Sequence, residues 1–77
     1  MNKKINNLME VMHSVGFEID EVKEDNNFIF LHFYNNNYDL ITICYCKFSK
    51  RYILSGPNKQ YITKQYKRLV NYIQKNI

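Results

Sequence analysis

Four side chains in this sequence are of the kinds that hold metal ions, attack electrophiles or carry protons: His13, His32, Cys44 and Cys46. Zinc sites draw on these types, with paired cysteines usually two to four residues apart on a turn so that both thiolates reach one ion. Here a single residue separates Cys44 from Cys46, inside a run rich in β-branched and aromatic residues. On a strand both point the same way with Cα atoms about 7 Å apart, wider than a disulfide normally spans. Free thiols are therefore expected, as in a reducing compartment, each acting as a small, partly apolar side chain. His13 falls at the end of a helical pattern, far along the chain from the cysteines. Acid–base catalysis asks for a histidine or paired carboxylates in a cleft, and the adjacent Glu24 and Asp25 read instead as a turn. No Gly-rich phosphate loop is present. The expectation is a protein with no catalytic residue, no cofactor and no metal.

The charges carry more information than these residues do. Glu10, Glu18, Asp20, Glu21, Glu24, Asp25 and Asp39 are all the carboxylates, and every one precedes Leu40. Against Lys3, Lys4 and Lys23 they leave residues 1–39 at −4 (three cations, seven anions). Beyond them stand Lys47, Lys50, Arg51, Lys59, Lys64, Lys67, Arg68 and Lys75 with no acid, hence +8, a split hidden by the overall +4. Tyr45, Tyr52, Tyr61, Tyr66 and Tyr72 are interleaved with these cations. Such a half points to an acidic or polyanionic partner.

Seventy-seven residues make one small domain spanning 1–77. A hydrophobic share of 45% argues against disorder. No apolar run approaches the roughly 20 residues of a membrane span, and the N-terminal stretch lacks the apolar core of a signal peptide. A cytoplasmic protein without membrane contact is expected. Asn, Lys, Ile and Tyr make up almost half of the chain. Their codons are AT-rich, which points to an AT-rich bacterium, its phages or its mobile elements.

The elements that must position these residues follow from periodicity. Ile5, Leu8, Met9, Met12 and Val15 form one apolar stripe of a helix over residues 3–15, with Asn2 as its cap and Gly16 as its stop. Phe17 to Lys23 alternates as a short strand with an acidic outer side. Residues 28–34 and 39–48 read as a hairpin around Asn35, Asn36 and Asn37, and a fourth strand is expected over 51–54. Gly56 and Pro57 interrupt the chain. Residues 59–76 read as a second helix burying Ile62, Tyr66, Leu69, Val70, Ile73 and Ile77. The fold class is α+β, in the order helix, three- to four-stranded antiparallel sheet, helix.

Pairing Tyr34 with Tyr38 across the three asparagines sorts the hairpin into two faces. Ile29, Leu31, Phe33, Ile41, Ile43 and Tyr45 form an apolar one suited to a core. The other carries Phe28, Phe30, His32, Tyr34, Leu40, Thr42, Cys44 and Cys46, greasier than a free surface normally is. Either the helices divide between the faces, or Phe28, Phe30 and Tyr34 mark a second interface through which the chain forms a homodimer.

In element order the chain resembles double-stranded RNA-binding domains and mRNA-interferase toxins of the HicA type. The toxins place a histidine after Gly-Ser at the start of the second strand, where this sequence has Asn26, Asn27 and Phe28. The RNA-binding domains begin their last helix with a lysine cluster, where Asn58, Lys59 and Gln60 stand here. Neither site transfers.

The sequence thus points to a binding protein and not an enzyme. The expected partner-binding residues are Lys64, Lys67, Arg68, Lys75, Tyr61 and Tyr72, with Lys50, Arg51 and Tyr52. The partner would be a host protein or nucleoprotein complex that handles nucleic acids, inhibited or regulated by this chain as a phage or mobile-element accessory factor; anti-CRISPR proteins are one such class. The alternative is a nucleic-acid-binding module using the basic C-terminal helix, dimeric through the sheet.

Overall fold

In the computed structural model, which describes residues 3–77, the order is α1 (Lys3–Ser14), β1 (Glu18–Glu24), β2 (Phe28–Tyr34), β3 (Leu40–Cys46), β4 (Arg51–Gly56), β5 (Lys59–Thr63) and α2 (Tyr66–Asn76). The α+β class holds, with five strands where three or four were expected. All neighbours pair antiparallel in the order β1-β2-β3-β4-β5, so each strand is joined to the next by a short turn. The cap expected at Asn2 lies outside the described residues.

Local chemistry explains most of the turns. Helix α1 ends where Phe17 N–H donates to the Met12 carbonyl (2.9 Å) and Gly16 N–H to that of His13 (3.0 Å). This closure needs a left-handed residue, supplied by Gly16 at φ 93°. Between β1 and β2, Asp25 Oδ1 accepts the N–H groups of Asn27 (2.8 Å) and Phe28 (2.7 Å). Between β2 and β3, Asn35 Oδ1 accepts those of Asn37 (3.0 Å) and Asp39 (2.9 Å), and Tyr38 takes φ 61°. That loop contains five residues, so Tyr34 pairs with Leu40 and not with Tyr38. The displacement is two residues, an even number, and every side chain keeps its expected face.

The expected helix over 59–76 is corrected: its first five residues are β5. Gly56, Pro57, Asn58 and Lys59 form a two-residue hairpin turn in which Gly56 pairs with Lys59. Pro57 suits the second turn position and Asn58, at φ 74°, the left-handed third. The chain leaves the turn extended, and Gln60 to Thr63 continue the alternation of β4. Ile62, placed by the helical spacing in the buried stripe, is instead 53% exposed on the far side of the sheet.

One core joins both helices to a single sheet face. It comprises Ile5, Leu8 and Met12 from α1, Leu69 and Ile73 from α2, Phe17, and Ile29, Leu31, Phe33, Ile41, Ile43, Tyr52 and Leu54 from the strands. Each such side chain contributes about 1.5–3 kcal/mol when removed from water. Tyr45 packs at the border, its ring 4.8 Å from that of Tyr52. The opposite sheet face is left without a helix over it. No helix among the described residues is long and apolar enough to cross a membrane.

Candidate functional site

The cations of the second half are mostly left unmatched by the acids of the first. Among the described residues the ion pairs are Lys47 with Glu24 (2.6 Å), Lys23 with Glu21 (3.5 Å) and His13 with Glu18 (2.6 Å). Among the described residues, Lys47 is the one of the eight cations beyond Leu40 that a carboxylate engages. The fold explains this. Most of the acids lie on or beside β1, at one edge of the sheet, and β5 and α2 bring most of the cations to the other. Four strand spacings separate those edges by about 19 Å, against a screening length of about 8 Å at physiological salt.

A cationic rim forms where β5 meets α2. The rings of Tyr61, on β5, and Tyr72, on α2, stack at 4.2 Å and 7°. Arg68 and Lys75 stand one helical turn to either side of Tyr72 and within about 60° of it around the axis. Lys64 follows the last residue of β5, and Lys59 opens the strand, its Nζ donating to the Asn76 carbonyl at the far end of α2. Lys59, Lys64, Arg68 and Lys75 are all exposed. No acid occupies the first turn of α2, and Gln65 caps it without a side-chain hydrogen bond. Lys67 and Arg68 therefore oppose the helix dipole, which costs about 0.3–1 kcal/mol for each charge near a terminus. Helix stability does not account for these cations.

The other expected binding residues separate. Lys67 lies about 140° around α2 from Tyr72, on the far flank. Lys50 sits in the β3–β4 turn at φ 58°. Arg51 pairs with Cys46 and faces the open side of the sheet. Tyr52 is 5% exposed, inside the core between Tyr45 (4.8 Å) and Tyr66 (6.1 Å), and burial pushes its phenol pKa up. It offers no contact surface, because strand alternation turns it to the opposite side from Arg51. Lys59 joins the rim unforeseen, and Ile62 lies on the opposite face of the same strand; the turn-forming Pro57 and Asn58 were the signal for both.

Phe28, Phe30 and Tyr34 do lie on the uncovered face. One register row crosses all five strands there: Lys23, Phe30, Cys44, Ile53 and Ile62. Phe30 sits 5.7 Å from Phe28 and 6.4 Å from the His32 ring, parallel to the latter within 4°, while His32 Nδ1 is 2.9 Å from Thr42 Oγ1. Both cysteines are free. Burial pushes the Cys44 thiol up, and hydrogen bonds from Ser49 draw that of Cys46 down. Among the described residues no three His, Cys, Asp or Glu side chains come together in a group that would hold a metal ion.

Comparison with known protein families, with curated proteins and with solved structures finds no match to this chain.

Proposed function

We propose that this chain is a non-enzymatic binding protein that seats the rim of β5 and α2 on an acidic surface of a larger protein. One observation carries the reading: exposed Lys59, Lys64, Arg68 and Lys75 lie on and beside the two elements that present the stacked Tyr61 and Tyr72, and among the described residues no carboxylate is within ion-pair distance of them. Tyrosine and arginine are the side chains that most often anchor protein interfaces, and an uncompensated positive rim accelerates encounter with an anionic partner. The role that suits so small a chain is regulator or inhibitor of a cytosolic nucleic-acid-handling protein or complex, in the manner of phage and mobile-element accessory factors.

The test is capture from an AT-rich bacterial lysate by the wild-type chain and by the double variant Arg68→Glu, Lys75→Glu, with and without nuclease treatment. A partner retained after nuclease and lost with the double variant supports the reading. Direct contact with a nucleic-acid backbone is the second reading, favoured by the same unpaired cations. It requires that nuclease abolish capture and that the logarithm of affinity fall with that of salt at a slope set by the neutralised phosphates.

A further inference from the structure

The two outer strands of the sheet differ in their readiness to accept another strand. In β1 the pairing with β2 jumps between Ile19 and Glu21, leaving Asp20 as a bulge, and Glu18, Asp20, Glu21 and Glu24 line the strand. Bulges and edge charges are the devices by which proteins prevent edge-to-edge pairing. β5 has no bulge, its register with β4 running unbroken from Lys59 to Thr63, and its one charge, Lys59, stands at its first residue, so that Gln60, Tyr61 and Ile62 carry none.

Its outward backbone groups follow from the turn. In a two-residue hairpin the residues that close the turn exchange both hydrogen bonds, and the pattern repeats every second residue. Gly56–Lys59, Leu54–Tyr61 and Tyr52–Thr63 are therefore the bonded pairs. The N–H and C=O groups of Gln60 and Ile62 then point away from β4, with no partner among the described residues. Ile62 exposes half of its side chain on the open face, whereas Tyr61 lies on the helix side against Tyr72.

We infer that β5 is a docking edge for an extended acidic segment of a partner protein, added as a sixth strand. The inference rests on the reading of the rim as a partner-binding surface and specifies how that surface is used. Charge complementarity selects the occupant. Residues of the added strand on the helix side lie beside Arg68 and Lys75 and are acidic; those on the open side extend the row ending at Ile62 and are apolar. Main-chain bonds to Gln60 and Ile62 hold the strand, and the alternating side chains set its register. Pairing of β5 with β5 of a second copy would bring two sets of Lys59, Lys64, Arg68 and Lys75 together, and like charges oppose it.

The test uses the full chain and a blocked peptide of alternating Glu and Val, observed by the amide resonances of the protein. Binding is expected to shift the amides of Gln60 and Ile62 and to slow their hydrogen exchange. N-methylation of alternate residues along one edge of the peptide should weaken binding about tenfold or more, the effect of one lost and unreplaced hydrogen bond. Ile62→Pro removes an outward N–H and no ladder bond, a substitution that edge strands tolerate, and should have the same effect; the methylated peptide gives the answer without altering the protein. Binding that ignores both changes yet disappears in the Arg68→Glu, Lys75→Glu variant overturns strand addition and leaves the charged rim standing. No binding of the peptide, with tight salt-sensitive binding of a single-stranded oligonucleotide instead, overturns both. Self-association abolished by Ile62→Pro assigns the edge to a second copy of the chain and overturns the acidic-partner assignment.

Discussion

Strand β1 holds four carboxylates in seven residues and a bulge in its middle; Val22 packs against the core and Ile19 is 37% exposed. Strand β5 holds no carboxylate in five residues, pairs without interruption and is pinned to α2 by stacked tyrosines. Both are edges of the same sheet, so position in the sheet alone does not distinguish them. The contrast teaches that side-chain charge and one inserted residue can make two edges of one sheet differ. It also explains why the net charge of +4 says so little: the two signs sit at opposite margins, too far apart to cancel.

The largest effect expected is on stability. Tyr61→Ala removes the ring that ties β5 to α2 and should cost about 2–3 kcal/mol in urea unfolding, against about 1 kcal/mol for Val22→Ala on β1. Equal costs would mean that the two edges are anchored alike. Deleting Asp20 next tests the asymmetry directly. It regularises β1, leaves the pairs Ile19–Phe33 and Glu21–His32 in place, and should bring concentration-dependent association measurable by light scattering; a persistent monomer would show that charge without the bulge suffices. Third comes the rim itself. Arg68→Glu with Lys75→Glu should weaken partner capture by about tenfold or more while Lys67→Glu, on the far flank of α2, changes it little. Similar losses from all three would spread the surface around the helix.

The smallest effect concerns acid. A hydrogen bond from Lys47, reinforced by its charge, holds the Glu24 carboxyl below its usual range, and the backbone N–H groups of Asn27 and Phe28 do the same for Asp25. Both values are lowered by folding, so the unfolded chain binds more protons as the pH falls. The stability they supply is complete above the ordinary carboxylate range and is lost as the pH drops through the lowered folded values. Urea midpoints from about pH 6 to about pH 3 should fall, less steeply in Glu24→Gln and Asp25→Asn. An unchanged slope in both variants would place the acid sensitivity elsewhere.

Much of this architecture could be read from residue patterns because it depends on neighbours in the chain. The stripe of Ile5, Leu8 and Met12, the stop at Gly16 and the alternation of β2 and β3 each reflect a local period, and the core face survived a misjudged loop because the error was even. Residues 59–63 read as helix because Ile62, Tyr66 and Leu69 fit one helical stripe, although the chain there is a strand followed by a helix. A five-residue window cannot separate those periods; the turn at Pro57 and Asn58 does so by delivering the chain extended beside β4.

The division of charge and the surplus of apolar residues on one strand face were legible in the order of the amino acids, since each is a property of composition or spacing. The gathering of Lys59, Lys64, Arg68 and Lys75 near one tyrosine pair and the burial of Tyr52 were not. These depend on which distant segments pack together, and that is settled by closing a single core over the whole chain.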